Sequence, residues 1–160
     1  MQKGIILLFL AISLNSCAQK NAQNPYGLTI ISDYRSYKED YKIHPNNELI
    51  EIKKAIPSIV LDIRYATKDN FMQQVMYNQA RAFARKPVVE QLKKIQAVLK
   101  PQGYGLKIFD AYRPYTITVA FWEKASDKAF VANPAKGSKH NRGCAVDLTL
   151  IELKTGKDIP

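Results

Sequence analysis

The stretch that decides the fold is Ser138-Lys139-His140-Asn141-Arg142-Gly143-Cys144-Ala145-Val146-Asp147. It holds an imidazole at His140 and a carboxylate at Asp147, two ligand types found in catalytic zinc sites. On one straight strand, at roughly 3.3 Å per residue, these two side chains would lie about 23 Å apart. One zinc ion needs both ligands within about 2.2 Å. The chain must therefore turn between them, and Gly143 suits the turn because glycine tolerates positive φ.

After the turn, residues 144–151 predict a strand whose side chains alternate between two faces. One face carries Cys144, Val146, Leu148 and Leu150, and the other carries Ala145, Asp147 and Thr149. An ionised aspartate in so apolar a strand is costly unless it is paired or bound to a metal. The ordinary alternative is a solvated loop histidine and an aspartate that caps a turn.

Cys144 lies between the two proposed ligands, and a thiolate is itself a good zinc ligand. The predicted alternation, however, turns Cys144 away from Asp147. We therefore expect Cys144 to be a small buried apolar residue. The chain has two cysteines in all.

The pattern Ser-x-His-x-x-Gly-x-Ala-x-Asp resembles the zinc motif of bacterial D-alanyl-D-alanine dipeptidases and of the related zinc D,D-carboxypeptidases. Two further stretches resemble the dipeptidases in the same order. These are Asp62-Ile63-Arg64-Tyr65-Ala66-Thr67 with Asn70-Phe71, and Asp110-Ala111-Tyr112-Arg113-Pro114. The similarity runs from about Glu48 to the C-terminus.

The resemblance implies one bound zinc ion, with His140 and Asp147 as ligands. It implies that Arg113 stabilises an oxyanion, and a guanidinium suits this role because it keeps its charge and offers a fork of donors. The alternative for Arg113 is a salt bridge to Asp110 or another carboxylate. Ser138 is expected to hydrogen-bond the substrate or to orient the loop.

The resemblance also implies that Tyr65, with Arg64 and Asn70, helps to frame the substrate pocket. The sequence departs from the family pattern just beyond Phe71. Met72-Gln73 stands where a small Thr-Gly pair is common.

In the family, a Glu-x-x-His stretch beyond the aspartate ligand supplies the catalytic glutamate and the third zinc ligand. No histidine follows His140 in this sequence. We therefore expect the general base and the third ligand to be missing from this chain, which would bind zinc weakly and turn over little substrate. The implied fold is α+β, an antiparallel sheet with flanking helices, incomplete at its C-terminus.

The sequence patterns predict strands near 58–65, 105–110 and 144–151, with helices near 87–100 and 114–124. The helix that begins at Pro87 places Val89, Leu92, Ile95, Val98 and Leu99 on its apolar face. Residues 28–31 are a possible short strand. His44 precedes a turn signal and is expected to be an exposed loop residue.

The N-terminus predicts a signal peptide over residues 1–16. A basic start is followed by an apolar run, 4–14, that is too short to span a bilayer comfortably. Leu14-Asn15-Ser16-Cys17 resembles the lipobox of bacterial lipoproteins, so Cys17 is the expected lipidation site. The alternative is an ordinary secretory signal with an incidental cysteine. Residues 17–27 read as a tether and 28–160 as the dipeptidase-like domain. With Cys17 lipidated, no intramolecular disulfide is available.

These features predict an exported lipoprotein, anchored to a membrane of the bacterial cell envelope and periplasmic. A net charge of +10 would otherwise suggest a nucleic-acid partner, but an exported protein meets none. The expected substrate is a small D-amino-acid peptide, namely D-Ala-D-Ala. The alternatives are a D,D-carboxypeptidase acting on peptidoglycan stem peptides and a non-catalytic lipoprotein that binds muropeptides.

Overall fold

The computed structural model describes residues 24–159. The predicted signal peptide, the proposed lipidation site Cys17 and most of the predicted tether lie outside these residues. Where the described chain begins, the Tyr115 hydroxyl lies 3.2 Å from the Asn24 amide oxygen. Residues 28–31, a possible strand from sequence, form neither strand nor helix.

The central element is a three-stranded sheet made of β2 (Val60–Leu61), β4 (Tyr104–Asp110) and β5 (Asp147–Glu152), in the order β2-β4-β5. β4 pairs in parallel with β2 and antiparallel with β5. The register of β4 on β5 shifts between Ile108 and Asp110, and this irregularity places Asp110 opposite Asp147. A β-bulge of this kind redirects a side chain at the end of a strand pair.

A two-stranded sheet is formed by β1 (Leu49–Glu51) and β3 (Phe83–Arg85), which pair antiparallel. Four α-helices complete the described fold: α1 (Tyr34–Ile43), α2 (Ile52–Ala55), α3 (Lys86–Leu99) and α4 (Tyr115–Lys124). The core gathers side chains from α2, α3, β3 and β4, with Ile52, Ile59, Ala84 and Ile108 fully buried.

The helix predicted at 87–100 is confirmed as α3, but part of its predicted buried face is wrong. Val89 and Leu92 are buried, whereas Ile95 and Val98 are 46% and 63% exposed. The buried position is taken instead by Gln96, whose side chain accepts a hydrogen bond from Leu106 N at 2.9 Å. Its amide nitrogen also donates to Ser58 Oγ at 3.2 Å, so both ends of this buried polar group are satisfied.

The strand predicted at 58–65 is too long. β2 covers only Val60–Leu61, and Arg64–Ala66 form a 3₁₀ turn. The strand predicted at 144–151 begins later, at Asp147, because the loop that contains His140 continues through Val146. The α4 helix matches the prediction at 114–124 closely.

Cys144 was expected to be buried, and this is wrong. It lies before β5 begins, so the alternation of the strand does not reach it, and its side chain is exposed. The alternation does hold within β5. Leu148 and Leu150 pair with Ile108 and Leu106 and therefore share one face of the sheet. Both are nevertheless exposed, and the buried residue of β5 is Ile151 on the opposite face.

The predicted α+β class is confirmed, with one parallel pair in an otherwise antiparallel arrangement. Among residues 24–159, no helix has both the length and the apolar character needed to cross a bilayer. The C-terminal end of β4, the N-terminal end of β5, the start of α4 and the loop 138–143 meet at one place, and the candidate site lies there.

Candidate metal centre

His140 and Asp147 are brought together as the sequence predicts. His140 Nε2 lies 3.5 Å from Asp147 Oδ1. The other ring nitrogen, Nδ1, lies 2.9 Å from the Ala111 carbonyl oxygen, which can only accept a hydrogen bond. Nδ1 therefore carries the proton in the neutral ring, and Nε2 presents its lone pair toward Asp147. A backbone partner on the far nitrogen is the usual arrangement of a zinc-binding histidine.

Asp110 is a third potential metal ligand beside His140 and Asp147. One ligand atom from each of Asp110, His140 and Asp147 lies within 4.8 Å of the others. The Asp110 oxygens, however, already have partners. Oδ1 accepts from Tyr77 OH at 2.8 Å and from Ala111 N at 2.9 Å, and Oδ2 accepts from Arg113. Asp110 therefore serves the surrounding hydrogen-bond network more readily than it serves a metal ion.

Arg113 is buried and held on several sides. Its Nε and Nη2 donate to Asp110 Oδ2 at 3.1 and 2.6 Å. Its guanidinium carbon lies 5.3 Å from the ring centre of Tyr65 and 4.9 Å from that of Phe121. Within the described chain Nη1 makes no hydrogen bond, so this nitrogen can donate to a ligand. The salt bridge to Asp110, which was the alternative role for Arg113, is present. It uses Nε and Nη2 and leaves Nη1 available.

The loop 138–143 is fixed by Asn141, a residue that sequence reasoning treated only as part of a turn. Its side-chain nitrogen donates to Arg113 O at 2.9 Å and to Thr118 Oγ1 at 2.8 Å. Its side-chain oxygen accepts from Ser138 N at 2.9 Å, and its own backbone N donates to Ser138 Oγ at 3.0 Å. The loop is thereby joined to the strand–helix junction that carries Arg113.

Gly143 is required by both conformation and space. Its φ is 65°, a left-handed value. A Cβ at this position would lie 2.6 Å from Leu49 Cδ2 and 3.2 Å from Arg85 N. The glycine of the motif therefore lets the loop pack against β3 while the chain turns back toward Asp147.

The loop 67–76 packs beside Arg113 and is organised by Asn70. The Asn70 amide nitrogen donates to the carbonyl oxygens of Arg64, Thr67 and Gln74, and its oxygen accepts from Met72 N. Asn70 therefore holds the loop together, and both hydrogens of its amide are used within the loop. Arg64 forms salt bridges with Asp62 and Asp69.

Tyr65 contributes a side wall of the site. Its ring contacts the Arg113 guanidinium and packs on Phe71, Tyr77 and Phe121, with ring centres 6.2, 5.7 and 4.8 Å away. Its backbone oxygen accepts from Met76 N and Tyr77 N, which brings the loop back to the site. The Tyr65 ring therefore helps to hold Arg113 in place.

Comparison with known proteins gives a consistent result. A family model described as D-ala-D-ala dipeptidase matches residues 45–159. The chain belongs to this family. The D-alanyl-D-alanine dipeptidase of Escherichia coli K12 is 34% identical over 103 residues, which are 64% of this chain and 53% of that protein. The enzyme of the same name from Enterococcus faecium is 32% identical over 122 residues, 62% of this chain and 59% of its own length.

A third relative, the D-alanyl-D-alanine dipeptidase of Enterococcus faecalis, is 28% identical over 134 residues, 69% of this chain and 65% of that protein. The chain thus spans between half and two thirds of the length of the curated relatives it matches. The family is one of zinc-dependent peptidases, and the donors at His140 and Asp147 fit such an ion.

The electrostatics of this dipeptidase-family site are set by its close ion pairs. The contact with Asp147 raises the pKa of His140, and the same contact lowers the pKa of Asp147. Burial lowers the pKa of Arg113, but the adjacent Asp110 carboxylate outweighs it, so the net pKa is raised and the guanidinium stays charged. Burial, reinforced by the Asp110 charge, raises the pKa of Tyr77, so its hydroxyl remains a donor.

The structure brings four of the site residues predicted from sequence together. His140, Asp147, Arg113 and Tyr65 form one site. Ser138 lies on the same loop, where its hydroxyl accepts the Asn141 backbone hydrogen bond and so orients the loop. Cys144 is not among the clustered ligand atoms, and its thiol lies 3.4 Å from Arg142 O. Cys17 lies outside the described residues.

Sequence reasoning missed Asp110, Tyr77 and Asn141 as members of the site. Asp110 was considered only as a partner for Arg113, although its position at the end of a strand that leads into the motif was a usable signal. Tyr77 lies 33 residues before the carboxylate to which it donates, and no local pattern predicts such a contact.

Proposed function

We propose that the protein is a zinc-dependent dipeptidase that hydrolyses D-Ala-D-Ala, and that it acts in the bacterial cell envelope as a lipoprotein anchored through Cys17. The observation that supports this most strongly is the orientation of the His140 ring. Its Nδ1 is fixed on the Ala111 carbonyl and its Nε2 faces Asp147. The names of the relatives support the choice of substrate.

His140 and Asp147 would hold the ion in this proposal, with Asp110 behind them as the residue that positions Arg113. Zinc, when bound, would polarise the scissile carbonyl and lower the pKa of a water molecule. The ring of His140 cannot rotate without losing its bond to Ala111, so the ligand geometry is set before the ion arrives.

Arg113 supplies the positive charge for the oxyanion that develops during peptide hydrolysis. Its side chain cannot swing away, because Asp110 holds two of its nitrogens and the rings of Tyr65 and Phe121 flank it. Fixed donors cost no reorganisation when charge develops, and removal of one such donor typically costs about 10²–10³ in kcat.

Export and lipid attachment in this proposal rest on the sequence of residues 1–17. The general base and a third zinc ligand are proposed to be absent from the 160 residues. The activity test therefore uses the protein as the gene encodes it, in parallel with the 160-residue chain.

The experiment measures release of D-alanine from D-Ala-D-Ala by the zinc-loaded gene product. Asp147→Asn is the test variant and Asp69→Asn, on an exposed loop residue, is the matched control. We expect hydrolysis that chelation abolishes, that Asp147→Asn abolishes and that Asp69→Asn retains. Faster release from a pentapeptide stem than from the dipeptide would favour the D,D-carboxypeptidase alternative. Full activity in Asp147→Asn would overturn the assignment of the metal ligand.

A further inference from the structure

A cavity lies where residues 28–34 and α1 meet the loop 138–143. Its volume is about 460 Å³, inside the range of about 300–1,000 Å³ found for small-molecule sites. Its lining includes Asn141 and Arg142 but none of Asp110, Arg113, His140 or Asp147. The cavity is therefore adjacent to the metal centre without sharing its ligands, and the proposed peptidase chemistry does not use it.

Aromatic and aliphatic side chains make up half of the residues that line the cavity. Four tyrosines line it: Tyr34, Tyr37, Tyr112 and Tyr115. Tyr34 is 71% exposed, and the centre of its ring lies 6.4 Å from that of Tyr37. Four aliphatic residues, Leu28, Ile30, Ile31 and Leu49, complete the walls. Flat, amphipathic tyrosine rings and aliphatic patches suit a ligand that is partly apolar and partly hydrogen-bonding.

The charged groups of the cavity balance each other. Two arginines, Arg85 and Arg142, and two aspartates, Asp33 and Asp40, line it, so their formal charges cancel. A site built for a simple anion or cation would carry an excess of the opposite charge. The balance therefore favours a ligand that has no net charge and needs both donors and acceptors.

Donors and acceptors of both kinds remain available. Within the described chain, the guanidinium of Arg85 and the hydroxyl of Tyr112 have no hydrogen-bond partner. Asp33 uses Oδ1 to accept from Ser36 N, and Asp40 uses Oδ2 to accept from Asn47, which leaves one carboxylate oxygen on each. These groups can serve several hydroxyls at once.

We propose that this cavity is a binding site for a neutral saccharide that carries N-acetylamino groups. The tyrosine rings would pack on the apolar faces of the sugar rings. Arg85 and Tyr112 would donate to sugar oxygens, and the two aspartates would accept from hydroxyls. The aliphatic wall would take the acetamido methyl group. The site needs no metal ion, so its occupancy is independent of the dipeptidase activity.

The experiment titrates metal-free protein, as the gene encodes it, with chitotriose and follows binding by calorimetry. The two test variants are Tyr34→Ala and Arg85→Met, which removes the guanidinium and keeps the aliphatic stem. The control is Phe130→Ala, because Phe130 is 72% exposed, like Tyr34, and does not line this cavity. Thermal unfolding confirms that each variant is folded.

We expect saturable binding that each test variant weakens by about fivefold or more and that Phe130→Ala leaves unchanged. Binding that survives both test variants would overturn the proposal, as would absence of binding up to about 10 mM chitotriose. If D-Ala-D-Ala instead saturated the metal-free protein and Tyr34→Ala abolished that binding, the cavity would be a peptide site and the saccharide proposal would be wrong. Loss of hydrolysis in the catalytic test does not affect either result.

Discussion

Asp110 and Asp147 face each other across β4 and β5 at the point where the strand register shifts. Two carboxylates that face each other on neighbouring strands repel each other unless cationic groups lie beside them. Arg113 pairs with Asp110, and His140 pairs with Asp147. The bulge thus creates two neighbouring ion pairs with different roles, one that holds a guanidinium and one that can hold a metal ion.

Zinc binding is expected to depend on His140 and not on His44, the other histidine of the chain. His44 ends α1, is exposed and lies outside the cluster of ligand atoms. We expect His140→Ala to weaken zinc binding by more than about tenfold, whereas His44→Ala leaves it unchanged. Calorimetric titration of the two variants and the parent with zinc makes the comparison. Equal loss of zinc affinity in both variants would show that zinc binds to histidines without preference for the proposed site.

Tyr77 is expected to act on catalysis through Asp110. Tyr77→Phe removes the 2.8 Å hydrogen bond to the carboxylate that holds Arg113, and the ring stays in place. We expect kcat to fall about tenfold with little change in KM and stability to fall by about 1 kcal/mol. Tyr104→Phe, on a partly exposed tyrosine of β4, is the control. A rise in KM with unchanged kcat would place Tyr77 in substrate binding instead.

Gln73 occupies a strained position in the loop 67–76. Its φ is 53°, a left-handed value that favours glycine. Gln73→Gly is therefore expected to stabilise the protein by about 1 kcal/mol relative to Gln73→Ala. The alanine variant loses the same side chain but keeps its Cβ, so it is the matched reference. Chemical denaturation measures both, and a glycine variant less stable than the alanine variant would contradict the assignment.

The departure of this loop from the family pattern could be read from sequence, but its outcome could not. Met72-Gln73 stands where Thr-Gly is common in the resembling family, and Gln73 adopts a left-handed φ without being glycine. The position of the loop 138–143 was predictable because the motif places His140, Gly143 and Asp147 within a short stretch. The Asp110–Tyr77 contact was not, because it depends on how a loop folds back over 33 residues.

Burial, too, could be predicted from local sequence only where long-range contacts do not decide it. Gln96 is a polar residue on an amphipathic helix, and period alone assigns it to the solvent face. It is buried because Leu106 N and Ser58 Oγ lie within reach of its amide. Cys144 was assigned to a strand that starts three residues later, so its predicted burial failed with the boundary.

The metal centre should respond to pH in two opposite ways. The contact with Asp147 raises the pKa of His140 from 6.5, so in the metal-free protein its stabilising effect is present below pH 6.5 and is lost as pH rises through the folded-state pKa. The pKa of Asp147 is lowered from 3.8, so its effect is present above pH 3.8 and is lost as pH falls through the folded-state pKa. The pair is thus most stabilising between these limits.

Zinc must displace the proton from His140, so zinc affinity is expected to fall as pH is lowered through the raised pKa of that ring. In the metal-free protein, Asp147→Asn is expected to cost more stability at about pH 5.5 than at about pH 8.5. Denaturant titrations and zinc titrations at both values check the two trends. A zinc affinity that does not change with pH would argue against a histidine ligand.

Cys144 is expected to be a bystander with an accessible thiol. The side chain is exposed and lies outside the ligand cluster. Cys144→Ser should therefore leave zinc affinity unchanged, and a maleimide should label the native protein at the same rate with and without zinc. Protection of the thiol by zinc would mean that Cys144 joins the ligands after all.

The most direct test of the account is to locate the ion in a crystal grown with zinc, by anomalous scattering at the zinc edge. We expect one strong peak within about 2.2 Å of both His140 Nε2 and an Asp147 carboxylate oxygen, with Arg113 still paired to Asp110. A peak bound to Asp110 with Arg113 displaced would contradict the assignment of roles made here. Absence of any peak at His140 and Asp147 would contradict the metal centre itself.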